Sequence, residues 1–211
     1  PLLVYTEASS SSTSELVTEL LQYYGEDIEL SKLEATALYA GIVVDTKNFA
    51  VQTGVRTFDA AAYLRRSGAD PVMVRHLFRT DYETTVALAK AEARSEFYEG
   101  GLIVSTCPEL ISNGQVIAAQ VADSLLRIEN VRMSIVVFQL AEDTVGISAR
   151  STGELNVQVI MEAFGGGGHQ NVAGAQIKGG NVEDIKQKAI EIAKKYIEEF
   201  DQDESNLTAG R

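Results

Sequence analysis

The sequence predicts a mixed α/β protein in which a helical N-terminal part is joined by a long helix to a second part with a mixed β-sheet flanked by helices. Up to about residue 98, apolar residues follow helical spacing behind capping signals such as Ser31-x-x-Glu34. Strand-like apolar runs, such as Met133–Leu140 and Thr144–Ser151, come after that point. The composition supports a globular fold, because 45% of the residues are hydrophobic and only 3 are proline.

The first part of the chain is predicted to be a series of helices, each with a capping residue at its start and most with a terminator at the end. These helices run from Ser12 to Gly25, from Ser31 to Ile42, from Thr57 to Gly68, from Asp70 to Phe78, and over Thr80–Tyr98. The last of them is the long helix that connects the two parts.

The second part alternates strands and helices. We predict a strand at Leu102–Ser105, a helix over Gly114–Arg127, a hairpin of Met133–Leu140 and Thr144–Ser151, a helix over Asn156–Phe164, a strand at Ala175–Lys178 and a helix from Asn181 to Phe200. In the second strand of the hairpin, a period of two places Gly146, Ser148 and Arg150 on one side. Residues 201–211 are predicted to form a frayed acidic tail.

Four consecutive glycines interrupt this second part at Gly165–Gly168, immediately before His169. Glycine has a large entropic cost in a folded chain, so such a run indicates unusual backbone angles or a close approach by another group. Unobstructed backbone N–H groups can surround a phosphate. A flexible loop is the alternative interpretation of the run taken alone.

Charge and cysteine content limit the classes of function. The net charge of −12 argues against loose electrostatic binding of long nucleic acid, which depends on a basic surface. The single cysteine, Cys107, allows no internal disulfide, and no apolar run approaches the roughly 20 residues that span a bilayer. We therefore expect a cytoplasmic protein. The chain begins at Pro1 without Met, and this suggests a fragment of a longer protein.

Asp45 is an acidic residue at the end of an apolar helix. A carboxylate in that position faces the negative end of the helix dipole and needs a compensating cation. A salt bridge to Lys47 or an Asx turn would account for it.

Three motifs taken together resemble the DHH phosphoesterase superfamily with a C-terminal DHHA1 domain. They are Asp45-Thr46-x-x-Phe49, Ser148-Ala149-Arg150-Ser151 and Gly166-Gly167-Gly168-His169. The stretches Ala40–Phe49 and Thr53–Asp59 are similar to the membrane-anchored cyclic di-AMP phosphodiesterases of the GdpP type. The resemblance covers nearly the whole chain. It implies four segments: the C-terminal part of a DHH domain (1–80), a linker helix (81–95), the DHHA1 substrate-binding domain (96–200) and the acidic tail (201–211).

The resemblance implies a two-metal phosphodiesterase, usually with manganese, that converts cyclic di-AMP to linear pApA. It implies that Asp45 is a metal ligand. It also implies a substrate-binding set whose members are Arg150, Ser151, Gly166, Gly167, Gly168 and His169. Two cations close together polarise a phosphodiester and generate hydroxide, so that chemistry needs several oxygen and imidazole ligands. The expected ligand is a cyclic dinucleotide or short oligonucleotide, and a homodimer is left open.

The chain departs from the family pattern in its metal site. It contains no Asp-His-His triplet, and its 2 histidines, His76 and His169, lie outside such a motif. No complete catalytic set is present, so we expect the chain alone to be inactive, with the missing N-terminal DHH half and any membrane anchor supplied upstream in the parent protein. Two alternatives remain. They are a short-oligonucleotide phosphodiesterase or single-strand exonuclease of the same superfamily, and a non-catalytic RNA-binding DHHA1 module.

Overall fold

The computed structural model of the chain describes residues 4–24 and 28–209. The chain divides into two compact units, Pro1–Thr80 and Asp81–Arg211, which we call unit 1 and unit 2. Gly25, predicted to end the first helix, lies outside the described residues. None of the helices within the described ranges combines the length and the hydropathy needed to cross a membrane.

Unit 1 is built from helices. In chain order they are α1 (Thr13–Tyr23), α2 (Lys32–Asp45), α3 (Val55–Arg66) and α4 (Pro71–Leu77). Capping side chains fix the starts of three of them: Ser12 for α1, Ser31 for α2 and Asp70 for α4. Small and branched apolar residues form the shared core: Ala35, Ile42, Ala60, Leu64 and Ala69. Mostly small core residues allow the helices to pack closely.

The third helix begins at Val55, two residues earlier than predicted from Thr57. Gly54 is its N-cap residue, and Thr57 lies inside the first turn. The backbone N–H of Gly54 donates to Thr57 Oγ1 at 3.1 Å. Thr57 therefore stabilises the helix start from within, where the sequence pattern suggested a cap.

Unit 2 is a mixed sheet flanked by helices, and this confirms the predicted fold class. Its elements are α5 (Tyr82–Ala93), β1 (Glu96–Tyr98), β2 (Leu102–Cys107), α6 (Gly114–Leu125), β3 (Met133–Ala141), β4 (Thr144–Ser151), α7 (Val157–Glu162), β5 (Gly167–His169), β6 (Val172–Lys178) and α8 (Val182–Ala209). The strand order is β1-β2-β3-β4-β6-β5. The β2/β3 pair is parallel and the other pairs are antiparallel.

Each side of the sheet has its own core. One side, which we call the α8 face, carries Met133, Ile135 and Ala149 and is packed against residues of α7 and α8. The opposite side, the α6 face, carries Val136 and Phe138 and is packed against residues of α5 and α6. Alternation along β3 places neighbouring residues on opposite faces, as period-two patterning requires.

The long connecting helix is shorter than predicted from Thr80–Tyr98. It starts behind Asp81, whose carboxylate accepts from Thr84 N at 2.8 Å, and it ends at Ala93. The last part of the predicted helix is strand β1, in which Phe97 pairs with Ile103. Aromatic residues favour strands, and the neighbouring Glu96 is held by Lys186 Nζ at 2.7 Å. Sheet pairing thus overrides the helical periodicity.

Two further predictions, the start of the strand after the glycine run and the frayed tail, differ from the structure, and the alternative interpretation of the run as a flexible loop does not describe it either. The glycine run is not a free loop, because Gly167–His169 form β5 and pair with β6, which begins at Val172 rather than at Ala175. The predicted frayed tail is largely helical, since α8 continues to Ala209. Arg132 Nη2 donates to Asp201 Oδ1 at 2.9 Å and anchors the helix beyond Phe200.

Candidate functional site

A cavity of about 570 Å³ lies in unit 2, where α6, β3, β4, β6 and the glycine run meet. Its volume is within the range of small-molecule sites. Its lining residues are Gln115, Ala119, Phe138, Ile147, Ser148, Arg150, Gly165, Gly166, Gly167, Gly168, Val172, Ala173, Gly174, Ala175 and Gln176. The cavity therefore brings together four of the residues expected to bind substrate: Arg150 and the three glycines Gly166, Gly167 and Gly168.

Strand register explains why this part of the α6 face is open. Helix α6 packs on β3 and β4, whereas β6 and β5 extend the sheet towards its edge. Ser148 of β4 is opposite Gly174 of β6, which is opposite Gly167 of β5. Residues opposite each other in register share a face of the sheet. This row thus presents bare backbone next to a serine hydroxyl, and a ligand can approach the main chain closely.

Arg150 supplies a positive charge at one end of the cavity. Only 11% of its side chain is exposed, and Nε donates to Asp123 Oδ1 of α6 at 3.3 Å. Nη1 donates to Ser148 Oγ at 3.1 Å and to the Ala149 carbonyl at 2.9 Å. Nη2 takes no part in these three bonds. The guanidinium is therefore fixed in orientation while one of its nitrogens remains for a ligand.

Ser151 is buried and does not line the cavity. Its hydroxyl donates to the Gln170 carbonyl and accepts from Gly153 N, both at 3.3 Å. These bonds connect the end of β4 to the turn between β5 and β6. Ser151 therefore stabilises the turn between β5 and β6 and does not contact the cavity.

The positions of the run differ in whether packing requires glycine there. A Cβ at Gly166 would lie 2.3 Å from the Gly174 carbonyl oxygen, and one at Gly168 would lie 2.4 Å from the Val172 carbonyl oxygen. Close packing against β6 requires glycine at both positions. A Cβ at Gly167 would meet nothing within 4 Å. Packing therefore does not account for Gly167, whose register places it on the face that carries the cavity.

His169 is exposed at the end of β5. It is opposite Val172, which is opposite Arg150, so all three lie in one row on the α6 face. Two strand spacings of about 4.8 Å put it roughly 10 Å across the sheet from Arg150. His169 does not line the cavity, and its position is at the outer edge of the same face.

Asp45 belongs to unit 1, where it is the exposed last residue of α2. The turn that follows is closed by Thr46, whose Oγ1 donates to the Ile42 carbonyl at 2.7 Å and accepts from Phe49 N at 2.9 Å. Three successive residues, 47–49, have φ angles of 47°, 60° and 63°, in the left-handed region. Such strain persists where the surroundings over-determine the backbone. The Asp45 carboxylate takes no part in these bonds, so the Asx-turn interpretation does not describe this turn.

A metal centre needs several ligands. Within residues 4–24 and 28–209 there is no group of three or more His, Cys, Asp or Glu side chains that could hold an ion. Asp45 by itself does not fit the two-metal centre that the resemblance implies.

Several cavity residues were not singled out by the sequence. The period of two in β4 already placed Ser148 beside Arg150, and that signal was sufficient to find it. Gln115 and Gln176 carry no motif, because strand pairing and helix packing bring them to the cavity from distant parts of the chain. Asp123 carries none either, and helix packing brings it to Arg150.

The DHHA1 domain family matches residues 99–198, which contain the whole cavity lining. Residues 99–198 are thus similar to the DHHA1 domain family. The resemblance to DHH/DHHA1 phosphoesterases stated from the motifs is thereby confirmed.

Relatives match along most of the chain. The cyclic-di-AMP phosphodiesterase GdpP of Geobacillus thermodenitrificans is 50% identical over 94% of this chain. The cyclic-di-AMP phosphodiesterase PdeA of Listeria monocytogenes is 45% identical over 93%. This chain spans 30% of the length of each of these two relatives.

A solved structure shares the fold. The crystal structure of an exopolyphosphatase-related protein from Bacteroides fragilis has a TM-score of 0.76 and 21% sequence identity. The match covers 94% of this chain and 62% of that protein. At this identity the likeness concerns the fold alone.

Proposed function

We propose that this chain is the nucleotide-binding part of a metal-dependent phosphodiesterase that hydrolyses cyclic di-AMP to linear pApA. The observation that carries the proposal is the DHHA1 cavity, in which Arg150 stands beside the backbone of Gly165–Gly168. A fixed guanidinium next to bare backbone suits a phosphate group. The 45% identity or better to two cyclic-di-AMP phosphodiesterases supports the choice of substrate.

Within this proposal the site residues have separate roles. Arg150 pairs with a phosphate through Nη2, and the open position at Gly167 lets the ligand approach the backbone. Gly166 and Gly168 allow the glycine run to lie close to β6. Ser151 supports the turn at Gln170, and His169 donates to a phosphate or stacks on a base at the edge of the sheet.

The metal site is part of the proposal only through Asp45. We infer that Asp45 is one ligand of a two-manganese centre whose other ligands belong to the missing DHH half of a longer parent protein. The strained turn behind Thr46 supports a functional position for Asp45, because it holds the end of α2 in one conformation. The parent protein would be membrane-anchored through an upstream segment, whereas this chain would be cytoplasmic.

The chain alone should therefore be inactive. Incubation with cyclic di-AMP and excess manganese should give no measurable pApA, because one carboxylate cannot assemble a binuclear centre. Metal-dependent turnover of about 1 per second or faster, a normal enzyme rate, would contradict this assignment.

Binding measurements decide the substrate class. We expect the chain to bind cyclic di-AMP more tightly than a linear dinucleotide, and to bind neither tRNA nor long single strands at moderate salt. Preference for the linear dinucleotide would favour a short-oligonucleotide phosphodiesterase. Retention of tRNA on a filter would favour an RNA-binding module. Gel filtration at several concentrations would show whether a homodimer forms.

A further inference from the structure

Two glutamine side chains line the cavity at the end away from Arg150. Gln115 is in the first turn of α6, and Gln176 is on β6. Both are exposed, and neither side-chain amide has a hydrogen-bond partner among residues 4–24 and 28–209. An amide group offers both donors and an acceptor. The cavity therefore holds two uncommitted polar groups that the phosphate-binding role does not use.

Register places Gln176 on the same face as Arg150. Gln176 is opposite Gly146, which is opposite Phe138, and Phe138 is packed on the α6 face. From Gly146 to Arg150 the strand extends roughly 13 Å at about 3.3 Å per residue. The cationic end and the amide end of the cavity are thus well separated along β4.

Helix α6 gives an independent measure of the same separation. Gln115 and Ala119 line the cavity, and Asp123 holds Arg150. From Gln115 to Asp123 the helix rises roughly 12 Å at 1.5 Å per residue. The lengths measured along β4 and along α6 therefore both place the Arg150 guanidinium and the two glutamine amides at opposite ends of the cavity. A span of this order suits one nucleoside monophosphate, with its phosphate at Arg150 and its base at the glutamines.

The floor between the two ends is rich in glycine. It carries Gly174 and Gly167 in one row and Gly146 in the next. The Phe138 ring covers Gly146 so closely that a Cβ there would lie 2.3 Å from Cζ. A planar base can lie against the backbone of Gly174 and Gly167, with the Phe138 ring beside it.

We propose that Gln176, assisted by Gln115 from the facing helix, selects adenine at this end of the cavity. Adenine presents an N6 donor beside an N7 acceptor, and a glutamine amide can pair with both at once. Guanine and hypoxanthine present an O6 acceptor in place of the N6 donor, so the amide cannot satisfy both atoms with the same orientation. This inference rests on the proposed function, because it assumes that a nucleotide phosphate lies at Arg150.

The test compares two ligands that differ at the base edge, cyclic di-AMP and cyclic di-IMP, which carries hypoxanthine. Calorimetric titration of the 211-residue chain should show that cyclic di-AMP binds more tightly. Gln176→Met should weaken binding of cyclic di-AMP about tenfold, the effect of losing one bidentate base contact, and should abolish the preference between the ligands. Gln115→Met should reduce the preference in the same direction. Gln120→Met, on α6 but outside the cavity lining, is the matched control and should change neither affinity.

The outcomes separate this inference from the proposed function. Binding that is lost in Arg150→Ala, together with an adenine preference that persists in both Gln176→Met and Gln115→Met, would overturn adenine selection and leave the proposed function standing. Failure of the unsubstituted chain to bind either ligand would overturn the proposed function itself. Circular dichroism of each variant confirms that the fold is retained.

Discussion

Arg150 on β4 and Asp123 on α6 form an ion pair at the edge of the cavity in unit 2, with 3.3 Å between Nε and Oδ1. The pair joins the sheet to the helix that forms the cavity wall. The ion pair also orients the Arg150 guanidinium, and the Asp123 carboxylate partly offsets its positive charge. Charge and orientation at this position can therefore be varied separately.

Removal of the guanidinium should weaken ligand binding strongly. Arg150→Ala should cost about 1.5–3 kcal/mol of binding free energy for cyclic di-AMP, the value of a hydrogen bond to a charged group. Calorimetric titration at low salt measures this change. Arg127→Ala removes an exposed positive charge outside the cavity and is the control. Equal losses in the two variants would mean that only net charge matters.

Removal of the opposing carboxylate should have the reverse effect. Asp123→Asn keeps an oxygen that can accept from Arg150 Nε but eliminates the negative charge beside the phosphate position. We expect cyclic di-AMP to bind about two- to tenfold more tightly at low salt, with the difference decreasing as salt rises. Weaker binding in this variant would show that Arg150 needs the full ion pair to keep its orientation.

Two neighbouring glycines should respond to the same substitution in different ways. Gly166→Ala places a methyl group 2.3 Å from the Gly174 carbonyl and should lower the free energy of unfolding by roughly 1–3 kcal/mol. Gly167→Ala meets open space and should change stability by less than about 0.5 kcal/mol. It should still reduce cyclic di-AMP affinity, because a methyl group prevents close approach to the backbone.

Thermal unfolding followed by circular dichroism compares the stability of the two variants, and titration with cyclic di-AMP compares their affinity. If Gly167→Ala binds as well as the unsubstituted chain, the glycine run serves packing alone.

The sequence was informative where a signal was local and uninformative where pairing between distant segments decided the outcome. The capping box at Ser31 and Glu34 correctly located the start of α2, and the period of two in β4 correctly placed Ser148 with Arg150. Strand β1 could not be distinguished from the end of a helix, because its three residues are strand only through pairing with β2. For the same reason Gln176 had no detectable role before the sheet register was known.

Unit 1 contains a buried carboxylate whose contribution should depend on pH. Burial of Glu15 would raise its pKa, but hydrogen bonds from Ser11 and Thr57 outweigh this and hold the pKa below its usual value. A lowered folded-state pKa means that Glu15 stabilises the fold above the pKa of the unfolded chain, and that this stabilisation is lost as pH falls through the folded-state pKa.

Glu15→Gln should therefore reduce the free energy of unfolding by about 1–3 kcal/mol at pH 7, since the new amide donors face the Ser11 donors. In urea unfolding experiments the difference from the unsubstituted chain should shrink as the pH falls below the ordinary carboxyl pKa of 4.5 and through the lowered pKa of Glu15 in the folded chain. Glu29→Gln, at an exposed position, is the control and should show neither effect. A pH-independent difference would mean that shape, rather than ionisation, stabilises this part of unit 1.

The central claim is that the cavity beside Arg150 binds cyclic di-AMP. Titration of the isotopically labelled chain with cyclic di-AMP at low salt, followed by backbone amide shifts, tests it most directly. We predict shifts centred on Ser148, Arg150 and Gly165–Gly168, and their disappearance in Arg150→Ala. Shifts centred elsewhere, or an Arg150→Ala variant that titrates like the unsubstituted chain, would contradict the claim.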